Sequence, residues 1–190
     1  MRGLALIFVL CVAACSGERD SAQKLMANIH GAVVSASSEA AKYVPSRLAD
    51  VQTQLIELQE QYDKKEYAEV VSRAPALLEA AQALATEAAA KKDEVLKALN
   101  DEWTALATSV PDEMAALQKR IESLSQHKPR KPQAQIDIDA ARQAMGSAQS
   151  LWSKAQGAFA AGNLEEAVAT AKDVKDKLGG AEKSLGLTPG

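Results

Sequence analysis

The sequence predicts an all-α protein, an elongated antiparallel bundle of about five to six helices with one long helix near residues 66–108. Hydrophobic residues make up 47% of the 190-residue chain but aromatic residues only 4%, and alanine is abundant. That composition suits closely packed helices better than a sheet built from β-branched and aromatic side chains. Apolar positions also recur at intervals of three and four residues from about residue 20 almost to the end.

A first helix over 20–42 places Leu25, Ile29 and Val33 on one face. Val44, Leu48, Val51, Leu55, Leu58 and Tyr62 form the stripe of a second helix over 45–63, with Pro45 in its first turn, where proline is tolerated. After the charged turn Asp63-Lys64-Lys65-Glu66, the stripe resumes at Tyr67, Val70, Ala74, Leu77, Ala81, Leu84 and Ala88. It then shifts to Val95, Leu99, Trp103 and Leu106, and no glycine interrupts 66–108, so this reads as one long helix that Pro75 should kink. Val110, Met114, Leu117, Ile121 and Leu124 mark a fourth helix begun by Pro111, and HKPRKPQ at 127–133 ends it. Ala141, Met145, Ala148, Trp152, Ala155 and Phe159 give a fifth. Beyond the turn at 161–163, Leu164, Val168, Ala171, Val174 and Leu178 give a sixth, ending near Gly179-Gly180 or running on irregularly to Leu185. The domain plan is a signal segment 1–14, a lipidated polar tether 15–20, and one helical domain over 21–187 with an internal loop near 126–134.

Two internal echoes suggest one helical unit used twice. Residues 61–74 match 158–171 at an offset of 97, pairing Tyr62 with Phe159, Tyr67 with Leu164, Val71 with Val168 and Ala74 with Ala171. Residues 44–58 match 110–124 at an offset of 66.

The amino terminus carries the most specific chemistry. Arg2 supplies a positive charge, Leu4 to Val12 is a nine-residue apolar run, and small residues follow. This is the layout of an export signal, and it falls well short of the roughly 20 residues that span a bilayer. Val12-Ala13-Ala14-Cys15 resembles the lipobox of bacterial lipoproteins. The resemblance implies that the Cys15 thiol is joined to diacylglycerol, that cleavage makes Cys15 the first residue, and that its amine is acylated. Cys11 does not fit, because Leu10 before it is too large for the cleavage position. The resemblance also implies that Ser16, where an aspartate would hold a lipoprotein in the inner membrane, directs the chain to the periplasmic face of a Gram-negative outer membrane. With Cys15 acylated, no free thiol remains for disulfide or metal chemistry.

Residues 155–171, AQGAFAAGNLEEAVATA, resemble the turn of a tetratricopeptide repeat through Ala155, Phe159, Gly162, Leu164, Ala167 and Ala171. The resemblance implies a helix-turn-helix packing mode that commonly binds other proteins. The spacing of 97 rather than 34 argues against a tandem superhelix.

Other chemistry is sparse. The 22 basic and 25 acidic residues are interspersed, leaving a formal charge of -3 and no footprint for nucleic acid. His30 and His127 are far apart in sequence, and neither sits in a metal-ligand spacing. No haem attachment motif, phosphate loop or nucleophile elbow is present, so neither an enzyme nor a resident cofactor is expected. Glu57 with Glu60 and Glu165-Glu166 read as solvated helix faces, Trp103 and Trp152 as core anchors, and His127 to Pro132 as a basic linker. The expected function is a lipid-anchored envelope module that binds or spaces another envelope protein. The alternative is a lipoprotein holding a small apolar ligand between its helices.

Overall fold

The computed structural model describes residues 12–126 and 136–187, with side chains from Gly17 onward. The segment 1–11, with Cys11, and the basic stretch 127–135, with His127, lie outside the described residues. Five helices and no strand occur among those described: α1 (Val12–Tyr43), α2 (Pro45–Asp63), α3 (Tyr67–Gln126), α4 (Ile138–Ala160) and α5 (Leu164–Ser184). The fold is all-α. Packing groups the helices into two compact units that meet in sequence between Glu94 and Val95, where the sequence reading has one helical domain.

In the first unit, α1, α2 and the first half of α3 share one core. It holds Ala22, Met26, Ile29, Val33, Ala36 and Ala40 of α1 and the four buried α2 residues Leu48, Val51, Leu55 and Leu58. From α3 it takes Val70, Ala74, Leu77, Ala81, Leu84 and Ala88. The stripes follow the three-four spacing that puts one helix face inward. Only Val44 separates α1 from α2, and Pro45 at the first helical position of α2 has no N–H to leave unsatisfied. Ion pairs cross the antiparallel α2–α3 pair at Arg73–Glu57 and at Arg47–Glu87, both 3.4 Å.

The second unit is built from the second half of α3 with α4 and α5. Its core gathers Trp103, Leu106, Val110, Leu117 and Ile121 of α3, Ala141, Met145, Ala148 and Ala155 of α4, and the α5 stripe from Ala167 to Ala181 with Leu185 after it. Chain directions follow from the contacts. Arg142 of α4 meets Ser125 late in α3 at 2.6 Å, whereas Phe159 meets Trp103 early in that half, so α3 and α4 are antiparallel. Lys172–Glu102 and Lys175–Glu113, at 2.7 and 2.9 Å, set α5 parallel to α3.

The structure differs from the sequence reading in several places. Residues 110–124 are no separate fourth helix: α3 runs unbroken through Pro111 to Gln126, as it does through Pro75. Proline in a helix interior costs about 3 kcal/mol. Keeping the helix lets Val110 before Pro111 and Leu117 and Ile121 after it stay in one core, and each such burial contributes about 1.5–3 kcal/mol. Burial outweighs the lost hydrogen bond. The exposed ring of Pro111 makes no compensating core contact, so Pro111→Ala is expected to stabilise the second unit by about 2 kcal/mol in urea unfolding. An unchanged or lower midpoint would show that the helix is already adapted to the proline. At the other ends, α1 begins at Val12, so residues 16–20 are helical, and α5 passes through Gly179-Gly180 to Ser184.

The offset of 97 extends far beyond the short echo. Leu48, Val51, Leu55 and Leu58 of α2 correspond to Met145, Ala148, Trp152 and Ala155 of α4, all in the second core or packed against it. Ala81, Leu84 and Ala88 correspond to Leu178, Ala181 and Leu185, buried at the same positions with large and small exchanged at each. The turns match bond for bond. Lys64, Lys65 and Glu66 donate to the carbonyls of Glu60, Tyr62 and Gln61, while Ala161, Gly162 and Asn163 donate to those of Gly157, Phe159 and Ala158, all at 2.9–3.1 Å. The first helix of each unit aligns at an offset of 81, with Ala22 answered by Trp103, Ile29 by Val110, Ala36 by Leu117 and Ala40 by Ile121. The longer connection after Gln126 takes up the difference. The echo between 44–58 and 110–124 therefore joins non-equivalent helices and reflects only a shared helical period.

One matched position is energetically unequal. Lys65 and Gly162 both adopt the left-handed region, at φ 66° and 79°. A side chain there costs about 1–2 kcal/mol that glycine avoids. Lys65→Gly should therefore raise the stability of the first unit by about 1 kcal/mol, read as a higher urea midpoint, and a decrease would contradict the assignment of strain.

Candidate functional site

Cys15 lies in the first turns of α1, and the first buried residue after it is Ala22. Gly17, Glu18, Arg19 and Asp20 between them are exposed. The segment that joins Cys15 to the first core is thus a polar helical extension, a consequence of Glu18, Arg19 and Asp20 preceding the first apolar position. Among the described residues, no helix is long and apolar enough to cross a membrane.

The carboxylates singled out in the sequence do not converge on a reactive centre. Glu57 pairs with Arg73 at 3.4 Å, Glu60 with Lys64 at 3.9 Å, and Glu166 with Lys154 at 3.2 Å, all on exposed surface. Glu165 and Glu166 stand in the first turn of α5, where negative charge favours the positive end of the helix dipole. Asn163 caps that helix by accepting from the Glu166 N–H and donating to the Glu166 carboxylate at 2.8 Å. His30 is exposed on α1. No group of three or more metal-ligating side chains occurs among the described residues.

Two titrating groups are shifted by surface pairs. The hydrogen bond to Glu39, 2.5 Å away, and its charge raise the Lys92 pKa, while the hydrogen bond from Lys91 and its charge lower that of Glu94. Both lie in water-exposed helix surface, where such pairs contribute little to stability.

The tryptophans do come together. Trp103, 6% exposed, stacks between Trp152 at 5.6 Å and Phe159 at 4.6 Å, with interplanar angles of 15° and 13°. Both tryptophans sit in the core stripes, as their spacing indicates, but their contact with Phe159 is invisible until α3 and α4 are aligned. Phe159 is 42% exposed and caps the stack at the surface. The first unit has instead an edge-on pair, Tyr62 and Tyr67, at 5.3 Å, and beside it Gln61 keeps a buried side-chain oxygen without a partner.

A groove of about 440 Å³ runs along α3 and α4, between Gln118, Glu122 and Ser125 on one side and Arg142, Met145 and Gln149 on the other. Arg142 is committed within it, donating to the Ser125 hydroxyl at 2.6 Å and to Asp139 at 3.3 Å. A second, wider opening lies by Asp137, Asp139 and Lys183, where the Asp137 N–H donates to the Ser184 carbonyl at 2.7 Å. Both are lined mainly by polar side chains, a chemistry suited to peptide or water rather than to an apolar ligand. Compared with known protein families, curated proteins and solved structures, the chain matches none.

Proposed function

We propose that this is a lipid-anchored protein of the bacterial cell envelope, acylated at Cys15, whose helical units bind or space a second envelope protein. The observation that carries the reading is the order Arg2, apolar Leu4 to Val12, then Val12-Ala13-Ala14-Cys15, which supplies every element of a lipoprotein processing site within fifteen residues. The action is positional. The acyl chains fix one end of the protein to a membrane, and helix surface outside the two cores is presented to the partner. Ser16 after the cysteine supports the periplasmic face of an outer membrane as the location in a Gram-negative cell. Exposed apolar side chains such as Val34 and Ile56, 72% and 62% exposed, are available contacts for such a partner.

Crosslinking in native membranes, followed by identification of the captured proteins, tests this with the wild-type chain and Cys15→Ser side by side. The positional reading expects a defined envelope partner whose yield falls at least tenfold in the variant. Equal yield and identity in both would sink it.

A further inference from the structure

We propose that the turn between α2 and α3, with Lys64 and Lys65, is the membrane-facing end of the first unit and rests in the phospholipid headgroup layer, its lysines against lipid phosphates. This rests on the acylation of Cys15 proposed above.

Tether length carries the first step. From Cys15 to Ala22 the chain is helical, so seven residues at the helical rise reach only about 10 Å. The headgroup layer of one leaflet is itself about 5–8 Å thick. A chain anchored at Cys15 therefore brings the end of the first core that contains Ala22 to the headgroups, and a helical tether limits how far that end can swing away.

Chain topology then says what else is at that end. Because α1 passes into α2 through Val44 alone, Ala40 begins beside Leu48, and the α1 stripe must run back along α2 to share its core. It ends, at Ala22, at the level of the α2–α3 turn. The second unit displays this arrangement directly: Trp103, the counterpart of Ala22, stacks on Phe159, the counterpart of Tyr62 at the turn.

The turn itself has suitable chemistry. Tyr62 and Tyr67 are half-buried against the core, and tyrosines favour the membrane interface because one end is apolar and the other polar. Lys65 and Lys64, the latter in a long 3.9 Å surface pair with Glu60 that phosphate would replace, are exposed on long stems that can reach phosphate while the backbone stays above it. Lys65 occupies a left-handed position where the second unit has Gly162, so a charged side chain stands at the tip of the turn at a conformational cost. Asp63 and Glu66 flank the two lysines, and Glu18, Asp20, Glu60 and Glu69 face the same end beside Arg19 and Lys24. Net attraction to an anionic surface would not hold the turn there; the anchor does, and the lysines orient it.

The test places a photoreactive amino acid at Ala68, exposed beside the turn, or at Ser46, exposed at the opposite end of the unit. Each full-length variant is irradiated in native membranes. Its counterpart beginning at Cys15 is coupled through that thiol to a maleimide phospholipid in phosphatidylcholine–phosphatidylglycerol vesicles. Phospholipid adducts at position 68 should exceed those at 46 at least fivefold, and Lys64→Glu with Lys65→Glu should cut the yield at 68 about threefold. Equal yields at 68 and 46 on the vesicles would overturn the orientation, and an unchanged yield in the lysine double variant would overturn the phosphate contact. Selective adducts on vesicles with none in native membranes would instead refute acylation and leave the orientation standing.

Discussion

Trp103→Ala is expected to destabilise the second unit by about 3–5 kcal/mol, the range for removing a large aromatic side chain from a packed core. Trp103 is buried, stacks on two other rings, and stands where the first unit has Ala22. The first core closes around that alanine; the second is shaped around an indole and would keep a cavity. Collapse is hindered because Trp152 and Phe159 belong to α4, whose buried neighbours Ala148 and Ala155 already allow close approach. Both tryptophans of the chain lie in this stack, so near-ultraviolet circular dichroism reports the second unit, while the protection of Tyr62 and Tyr67 peptides from hydrogen exchange reports the first. The signal of the one indole left in the variant, Trp152, should be lost at lower urea than the wild-type signal while Tyr62 and Tyr67 stay protected. Simultaneous loss of both would mean that the two units unfold as one.

Cys15→Ser is expected to abolish fatty-acid incorporation, reducing the label to background, and to leave the leader attached so that a heavier precursor accumulates. Each buried acyl methylene contributes about 0.8 kcal/mol, and after the cost of immobilising the protein one chain holds only marginally while two or more hold firmly. The nine-residue apolar segment left in the variant is too short to span the bilayer, so alkaline carbonate should release the precursor and retain the wild type. Folding should be unaffected, because Cys15 precedes Ala22, where the first core begins. A variant that stays labelled, or a wild-type chain that carbonate releases, would contradict the anchor.

Helix existence was readable because it depends on local period. The stripes read from the sequence supply most of the buried residues of α2, α4 and α5, from Leu48 to Leu58, Ala141 to Ala155 and Val168 to Leu178, although Trp152 is half-buried, Phe159 is exposed, and Ala167 and Ala181 join the core from outside those stripes. Helix ends were less readable because proline and glycine carry two meanings. Pro45 does begin a helix, whereas Pro111 lies inside one, since only tertiary packing on both sides decides between them. Of the two endings the sequence allows for α5, a stop near Gly179-Gly180 and an irregular continuation to Leu185, the helix takes the longer course in regular form, because Ala181 and Leu185 beyond the glycines are buried. The repeat was visible at its turn, where Tyr62 and Phe159 align, but not in the first helices, because the longer connection after Gln126 breaks the register. The candidate site was legible in the reverse sense. Val12-Ala13-Ala14-Cys15 resembles a linear processing signal, which needs no fold to be read, whereas the proposed nearness of Lys64 and Lys65 to the Cys15 end follows from chain topology.

Mass spectrometry of the amino-terminal peptide, from the chain purified out of its own membranes, tests the lipid anchor most directly. The predicted peptide starts at Cys15 and carries a diacylglyceryl group on sulfur with an acyl group on the amine. A peptide that starts at Met1, or a mature chain with an unmodified Cys15 thiol, would contradict the account.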